Sequence, residues 1–322
     1  MDFELSEDQQ ALVSALQAIL EDHSQIPQSA RFDSQWCDTD LQAQLEAMGF
    51  LDAARDIGGL EGALVVYETA RAIGAVETIG RGLVAPLACP GLELSRPVAL
   101  ARRDGLHHAI RNLPIAHVLL IEDGDDVLVL DLADCVVEPV ETILAYPYGR
   151  FAAPPALDGA RRFAGAGEAM RKWWRVGLAA EIAGAASAAI DFTVDYVRTR
   201  KAFGRPIGAF QSVQHRLVQR HGYARAAYYL AMRAAWSGTA SDAEVAACHA
   251  QSGLKELLFD LHQFNGGMGM TNEHLLHFWI YRARALQAEA GGPTRAALAI
   301  AAARWDDGLS EPEERHLSMA RS

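Results

Sequence analysis

The sequence predicts a mainly α-helical protein with a small β module in its middle, and three observations support this fold class. Helical hydrophobic periodicity fills about the first ninety residues, and short β-branched runs replace it between about 92 and 162. Four long helical segments joined by short turns then follow, which is typical of a helix bundle. We therefore expect an N-terminal helical domain (1–90), a reduced β domain (91–162) and a C-terminal four-helix bundle (163–322).

The N-terminal region carries the signals of four helices. Ser6 and Gln9 fit a capping box, and the apolar residues that follow fall on one helical face. Further helices are expected over 40–48, over 62–73 and over 76–87, the last of them ending before Cys89-Pro90.

The middle region carries strand signals. The runs 117–122 and 126–131 are β-branched and are joined through Asp-Gly-Asp at 123–125, which favours a hairpin. The run 135–141 continues the strand character. At roughly 60–70 residues the module is small for a free-standing domain.

The last region returns to helices. The expected bundle helices span 170–201, 211–237, 241–266 and 272–288, and a final segment covers 293–305. An acidic, polar tail follows.

Composition narrows the function classes. The formal net charge of -12 argues against a nucleic-acid partner, although Lys and Arg cluster at 198–205. The four cysteines are far apart and no metal-ligand run accompanies them, so we expect reduced thiols in a cytoplasmic protein and no metal site. We find no uninterrupted apolar run of about 18 residues, and therefore expect no membrane span.

Two motifs indicate an anion site. The segment 199–211 reads Thr-Arg-Lys-Ala-Phe-Gly-Arg-Pro-Ile-Gly-Ala-Phe-Gln, and 263–273 reads Gln-Phe-Asn-Gly-Gly-Met-Gly-Met-Thr-Asn-Glu. A guanidinium fork, aromatic rings and a Gly-rich backbone turn suit an anionic, ring-containing dinucleotide. Each residue also has an ordinary structural interpretation, as a solvated Arg, a core Phe or a helix stop.

In order and spacing, these motifs resemble those of the acyl-CoA dehydrogenase family, and the opening 1–10 resembles that family's N-terminus. The resemblance covers nearly the whole chain and is strongest over 170–290. It implies FAD bound across a subunit boundary, an acyl-CoA substrate and an electron-transfer acceptor. The implied cofactor-binding residues are Arg200, Ala202, Phe203, Phe210, Gln211, Gln263, Asn265, Gly266 and Gly267. Arg175 matches a helix arginine near the substrate thioester, although a solvated or ion-paired surface Arg is equally consistent with the sequence.

The chain departs from the family at the catalytic base. The reaction needs a carboxylate over the α-carbon of the thioester. Ala290 stands at the usual base position and Trp174 at the alternative one, so no catalytic residue is certain. Glu289 and Glu181 are weak candidates, and an ion-pair role is expected for Glu181. The Thr/Ser-rich wall of the flavin ring is also missing from the β region.

A chain that keeps the cofactor-binding motifs but lacks the base and the flavin wall resembles the short subunit of two-component, heterotetrameric bacterial acyl-CoA dehydrogenases. It implies a full-length partner that carries the base, with a steroid side chain or another bulky acyl group as a possible substrate. Two alternatives stay open: a self-sufficient homo-oligomeric enzyme with a non-standard base, and a non-catalytic helical scaffold that has lost flavin.

Overall fold

The N-terminal third is helical in the computed structural model, which describes residues 3–33, 35–92, 94 and 97–305. Its helices are α1 (Glu7–Asp22), α2 (Thr39–Ala47), α3 (Ala53–Asp56), α4 (Gly59–Arg71) and α5 (Ala85–Ala88). The capping box of α1 is confirmed, because the Gln9 N–H donates to Ser6 Oγ at 3.2 Å and the Ser6 N–H donates to Gln9 Oε1 at 3.0 Å. The expected helix over 76–87 is shorter, since a π-helical turn at Gly80–Val84 precedes α5.

The middle region forms two small sheets. The strands are β1 (Val98–Arg102), β2 (Ile110–Arg111), β3 (Val118–Asp123), β4 (Asp126–Asp131), β5 (Val137–Val140), β6 (Tyr148–Phe151) and β7 (Arg161–Phe163). One sheet has the order β1-β3-β4-β7 and the other the order β2-β6-β5. The predicted hairpin is confirmed as β3–β4, and Gly124 takes the positive φ of 63° that its tight turn needs.

The C-terminal region is a helix bundle around α6 (Gly167–Thr199), which is buried along most of its length. The other helices are α7 (Gln211–Ser237), α8 (Ala240–Ser252), α9 (Leu254–Asn265), α10 (Leu276–Leu286) and α11 (Gly292–Trp305), and a short hairpin of β8 (Lys201–Ala202) and β9 (Arg205–Pro206) joins α6 to α7. The expected helix 241–266 is divided at Gly253. There the ring of Tyr223 packs so closely that a Cβ on Gly253 would lie 2.3 Å from a ring carbon.

The largest hydrophobic core is shared between the three regions. It joins α4 and the π-helical turn to one face of the β1–β3–β4 sheet and to the bundle helices. Gly184 lets α6 and α4 approach, because a Cβ there would lie 2.2 Å from the carbonyl oxygen of Tyr67. The β module is therefore held directly against the bundle.

Among the described helices, only α6 is long and apolar enough to cross a membrane by length and composition. The absence of an uninterrupted apolar run in the sequence did not predict this. Within its most apolar window, 83% of the residues are buried inside the protein. This burial is typical of the central helix of a bundle.

Candidate functional site

The first motif forms an exposed hairpin beyond the end of α6. Phe203 and Gly204 are its two central residues, and both have positive φ values, 53° and 80°, as a type I′ turn requires. Phe203 is 94% exposed, and Arg200 is exposed at the end of α6 without an ion pair in the described part of the chain. Ala202 lies half-buried in β8.

The aromatic residues of this motif gather at the start of α7. The Arg205 guanidinium lies 4.1 Å from the ring centre of Phe210, and the rings of Phe203 and Phe210 meet edge to face at 6.3 Å. Gln211 is the exposed first residue of α7. Exposed aromatic surface therefore stands beside cationic side chains.

The second motif forms the turn that ends α9. Gln263, Gly266 and Gly267 are exposed, and Gly266 has a φ of 58°. A Cβ on either glycine would meet no atom within 4 Å, and the Gly267 N–H has no acceptor among the described residues. The turn therefore offers bare backbone to the outside.

Asn265 is placed differently from the other residues of the motif. Its side chain is buried, and its amide donates to Thr193 Oγ1 at 2.9 Å and to the Leu261 carbonyl oxygen at 2.8 Å. In this structure its side chain holds the turn against α6 and does not join the exposed surface.

Both motifs lie at the same end of the bundle. The Thr193–Asn265 contact ties the end of α9 to α6, and the Arg216 guanidinium of α7 lies 5.0 Å from the ring centre of Phe264. Arg216 also pairs with buried Asp260 of α9. The predicted cofactor-binding residues other than Asn265 are thus brought to one open surface.

A cavity of about 560 Å³ lies elsewhere, between the β module and the bundle. Its walls come from β1, β2, the π-helical turn, Trp174 of α6 and the turn 288–291 between α10 and α11. Most of the lining is apolar. Trp174 and Ala290, which stand at the two base positions that the family resemblance implies, both line this cavity.

The two candidate carboxylates are held by one buried arginine. Arg111 Nε and one Nη atom donate to Glu289 at 2.5 and 3.0 Å, and its other Nη donates to both carboxylate oxygens of Glu181 at 3.2 and 3.1 Å. The Tyr146 hydroxyl also donates to Glu181, at 2.7 Å. The ion-pair role expected for Glu181 is what the structure has.

The Arg111 network affects how its members titrate. Burial raises the pKa of Glu289, and the Arg111 charge opposes that rise. Burial lowers the pKa of Arg111, but Glu181 and Glu289 outweigh it and hold that pKa well above its ordinary value. Both carboxylates therefore have hydrogen bonds from Arg111 on each of their oxygens, and Glu181 also has one from Tyr146.

The usual base position has an unusual backbone. Ala290 has a φ of 52°, between Glu289 and two glycines that also have positive φ values. Its methyl group leaves no titratable side chain at this point of the cavity wall. These positive φ values interrupt the helical backbone between α10 and α11.

Arg175 is buried and pairs with Glu244 of α8 at 2.9 Å. Burial lowers the pKa of Arg175 and raises that of Glu244. Arg175 is therefore ion-paired, but the expectation of a surface arginine is wrong because its side chain is buried between α6 and Glu244 of α8.

Glu77 is a further buried carboxylate at the cavity, which sequence reasoning did not single out. It accepts the backbone N–H groups of Gly80, Arg81 and Val98 at 2.5, 3.0 and 3.1 Å. Burial raises its pKa to about 7 against the effect of these bonds. Because its oxygens bind the π-helical turn and β1, Glu77 stabilises the cavity wall.

Comparisons with known proteins identify the family. Residues 168–305 match the family model described as acyl-CoA dehydrogenase, C-terminal domain. The acyl-CoA dehydrogenase IpdE2 of Mycobacterium tuberculosis is 31% identical over 242 residues, which cover 71% of this chain and 74% of IpdE2. The chain belongs to the acyl-CoA dehydrogenase family.

Solved structures show the same fold as this acyl-CoA dehydrogenase chain. The ChsE4–ChsE5 complex from Mycobacterium tuberculosis contains a chain with a TM-score of 0.82 at 20% identity, with coverage of 96% of this chain and 100% of that one. The Tcur3481–Tcur3483 steroid acyl-CoA dehydrogenase contains a chain with a TM-score of 0.77 at 22% identity, with coverage of 91% and 96%. The predicted architecture, helices around a small β module with a C-terminal bundle, is confirmed.

Proposed function

We propose that this chain is the short subunit of a two-component acyl-CoA dehydrogenase that acts on the α and β carbons of an acyl-CoA thioester. It would complete an FAD site with a full-length partner that carries the base and the wall of the flavin ring. Support comes from the family and from the two structures above, each of which is named for two different chains.

One contrast carries this proposal. At the hairpin end of the bundle the chain exposes an unpaired cation, Arg200, beside bare glycine backbone. At its own cavity, Arg111 binds both Glu289 of the wall and the nearby Glu181, and Ala290 and Trp174 carry no carboxylate. The chain thus offers a surface for an anion, whereas each described carboxylate of the cavity wall already has an ion pair or backbone hydrogen bonds.

The exposed surface fits the phosphate and adenine portions of FAD. The Arg200 guanidinium would donate to the diphosphate, and the Gly267 N–H lies on open backbone that could approach it closely. Phe203 and Phe210 offer ring faces for stacking, and Gln211 and Gln263 offer side-chain amides. When bound, FAD accepts a hydride from the β-carbon of the substrate.

We assign the rest of the chemistry to the partner, because the catalytic base and the wall of the flavin ring are the parts that this chain would not supply. A base must take the α-proton in a site with donors to the thioester oxygen. No described carboxylate of this cavity is free for that task, so the partner would supply it and an electron-transfer acceptor would reoxidise the flavin. A bulky acyl group such as a steroid side chain is the substrate class we favour, because one structural relative is a steroid enzyme.

A self-sufficient enzyme with Glu289 or Glu181 as base is the main alternative. It requires Arg111 to release a carboxylate that it now holds at 2.5 to 3.2 Å. Flavin absorbance and acyl-CoA-dependent dye reduction by the purified chain alone would favour this alternative. A scaffold without flavin predicts a colourless protein in every preparation.

The experiment is to purify the chain with and without a co-expressed full-length acyl-CoA dehydrogenase from the same organism and to count FAD per chain. We expect little flavin alone and about one FAD per pair of unlike chains. Arg200→Ala should lower FAD occupancy of the pair by about tenfold, since a charge-assisted contact is lost. Arg198→Ala is the matched control, because Arg198 is equally exposed, two residues away, and pairs with Asp195. Full flavin loading of the isolated chain would contradict the proposal.

A further inference from the structure

The cavity of about 560 Å³ between the β module and the bundle has no part in the FAD surface proposed above. Its described lining includes no residue of the two cofactor motifs. Its volume lies within the range of about 300–1,000 Å³ that small-molecule sites occupy. The chemistry of its own wall therefore decides what it can bind.

The charged side chains of the cavity wall already have partners. Arg111 donates to Glu289 at 2.5 and 3.0 Å, and Arg102 pairs with Asp104. Three backbone N–H groups donate to Glu77. A charged ligand would have to replace one of these contacts, because an ion that is buried without a partner is costly.

Two uncharged polar groups of the wall have no hydrogen-bond partner among the described residues, the side-chain amide of Asn112 and the hydroxyl of Tyr148. Asn112 is only 6% exposed. Its backbone N–H donates to the Pro147 carbonyl oxygen at 2.7 Å, and Tyr148 pairs with Arg111 between β6 and β2. The two groups therefore reach the cavity from neighbouring positions. A carbonyl oxygen can accept from both an amide N–H and a phenol O–H.

The rest of the wall is mainly apolar. Val98 and Leu100 of β1, Ile110 of β2 and Ile79, just before the π-helical turn, all line the cavity. Trp174 of α6 adds an indole ring that is 6% exposed. Apolar ligand surface that leaves water for such a wall gains about 25 cal/mol per Å².

We propose that this cavity is a second ligand site, separate from the FAD surface, and that it takes an uncharged, largely apolar molecule with a carbonyl oxygen. The carbonyl oxygen accepts from Asn112 and Tyr148, and the apolar body of the ligand lies against β1 and Trp174. The site binds without chemistry, because its carboxylates are bonded to arginines or to backbone N–H groups. The inference goes beyond the proposed function, since binding here needs no FAD.

Isothermal titration calorimetry on the purified chain tests the ligand class. It is done at pH 8, because protonation of His108 at the rim of the cavity would add a charge. Progesterone, an uncharged ketone, should bind saturably at a single site. Deoxycholate has a similar ring body with a carboxylate and no ketone, and it should bind at least about tenfold more weakly. Absent or unsaturable binding of progesterone, or equal affinity for the two compounds, would overturn the proposal.

Two substitutions test the polar end of the cavity. Asn112→Gly removes the amide and suits the φ of 64° at this position, and Tyr148→Phe removes only the hydroxyl. Each should weaken progesterone binding by about three- to tenfold without lowering Tm, because one hydrogen bond to the ligand is lost. Tyr281→Phe is the control, since Tyr281 is also half-buried but does not line the cavity. Unchanged affinity in both cavity variants would place the ligand elsewhere and refute the site.

Filling the cavity is an independent test. Ala288 is exposed at the rim, so Ala288→Trp should obstruct the cavity without disturbing the core and weaken progesterone binding by at least about tenfold. Ala133→Trp is the control, because Ala133 is equally exposed after β4 and does not line the cavity. Equal effects of the two substitutions would contradict the proposal. The titrations use the chain without FAD, so their failure would leave the proposed function standing, and the FAD counts described above do not decide this site.

Discussion

Replacing Arg111 by Met tests whether the buried network holds the β module against the bundle. Arg111 lies in β2, Glu181 in α6, and Glu289 after α10, so one guanidinium joins three parts of the chain. The side chains of Arg111 and Glu181 are 10% and 6% exposed. Met has an apolar side chain of similar length but removes the ion pairs of both carboxylates, so that part of their buried negative charge is uncompensated even though the buried cation Arg282 stays near Glu181.

The expected loss follows from that uncompensated charge. Removing one partner of a buried ion pair costs about 3–5 kcal/mol of unfolding free energy. For a chain of this size each kcal/mol lowers Tm by about 2 °C, so we expect a fall of about 6–10 °C near pH 8. The penalty should shrink toward pH 5. Burial raises the folded-state pKa of Glu289 above its unfolded value and Arg111 opposes that rise, so without Arg111 the pKa lies higher still and the corresponding stability is lost as pH rises.

Calorimetry and urea unfolding at pH 5 and pH 8 measure both effects. The triple variant Arg111→Met/Glu181→Gln/Glu289→Gln should recover at least half of the loss, because the two carboxylates that lost their ion pairs are replaced by neutral amides. Arg150→Met is the surface control: Arg150 pairs with Glu138 in an exposed position, and such pairs contribute about 1 kcal/mol or less. A loss of under about 1 kcal/mol for Arg111→Met at pH 8 would refute the reasoning.

Three further results are expected. Gly184→Ala should lower the unfolding free energy by about 1–3 kcal/mol, because the new Cβ would press on the Tyr67 carbonyl oxygen; urea unfolding measures this loss. The control Gly222→Ala should raise it by up to about 1 kcal/mol, since Gly222 is helical and has open space around it. The Glu77 carboxyl has a pKa raised to about 7 by burial, so its folded-state pKa lies above the unfolded one. Its stabilising contribution is complete at low pH and falls by about 3 kcal/mol as pH rises from about 4.5 to about 7. Glu77→Gln should flatten that part of the measured pH–stability profile.

The elements that the sequence predicts well are those decided by neighbouring residues. The capping box at Ser6, the hairpin through Gly124 and the start of α7 at Gln211 all depend on residues within one or two turns. Most of the motif residues also lie together at one exposed end of the bundle. Asn265 is the exception, because its contact with Thr193 crosses 72 residues and leaves no local signal.

Features set by distant contacts were not predictable. β1 pairs in parallel with β3, and α8 is divided from α9 at Gly253, against which the ring of the distant Tyr223 packs. The partners of Arg111 lie 70 and 178 residues away, so a single Arg between two weak strand signals gave no hint of its role. The sequence predicts Ala290 and Trp174 at the two base positions, but not that Arg111 binds the carboxylates of both Glu181 and Glu289.

Phe203 connects the local backbone to the proposed function. Both central positions of a type I′ turn need positive φ, where Asn-Gly is favoured and an aromatic residue is strained by about 1–2 kcal/mol. Its ring is 94% exposed, so the isolated chain gains nothing from burying it. Phe203→Asn should therefore raise the unfolding free energy of the isolated chain by about 1 kcal/mol. In the pair with a full-length subunit, the same change should reduce FAD occupancy, because a stacking ring is lost; covering a Phe contributes about 1.5–3 kcal/mol, or roughly ten- to hundredfold in affinity. Phe203→Ala separates the two effects, since it keeps the strain and removes the ring. If Phe203→Asn stabilises the isolated chain and leaves flavin binding by the pair unchanged, the ring has no part in the cofactor site.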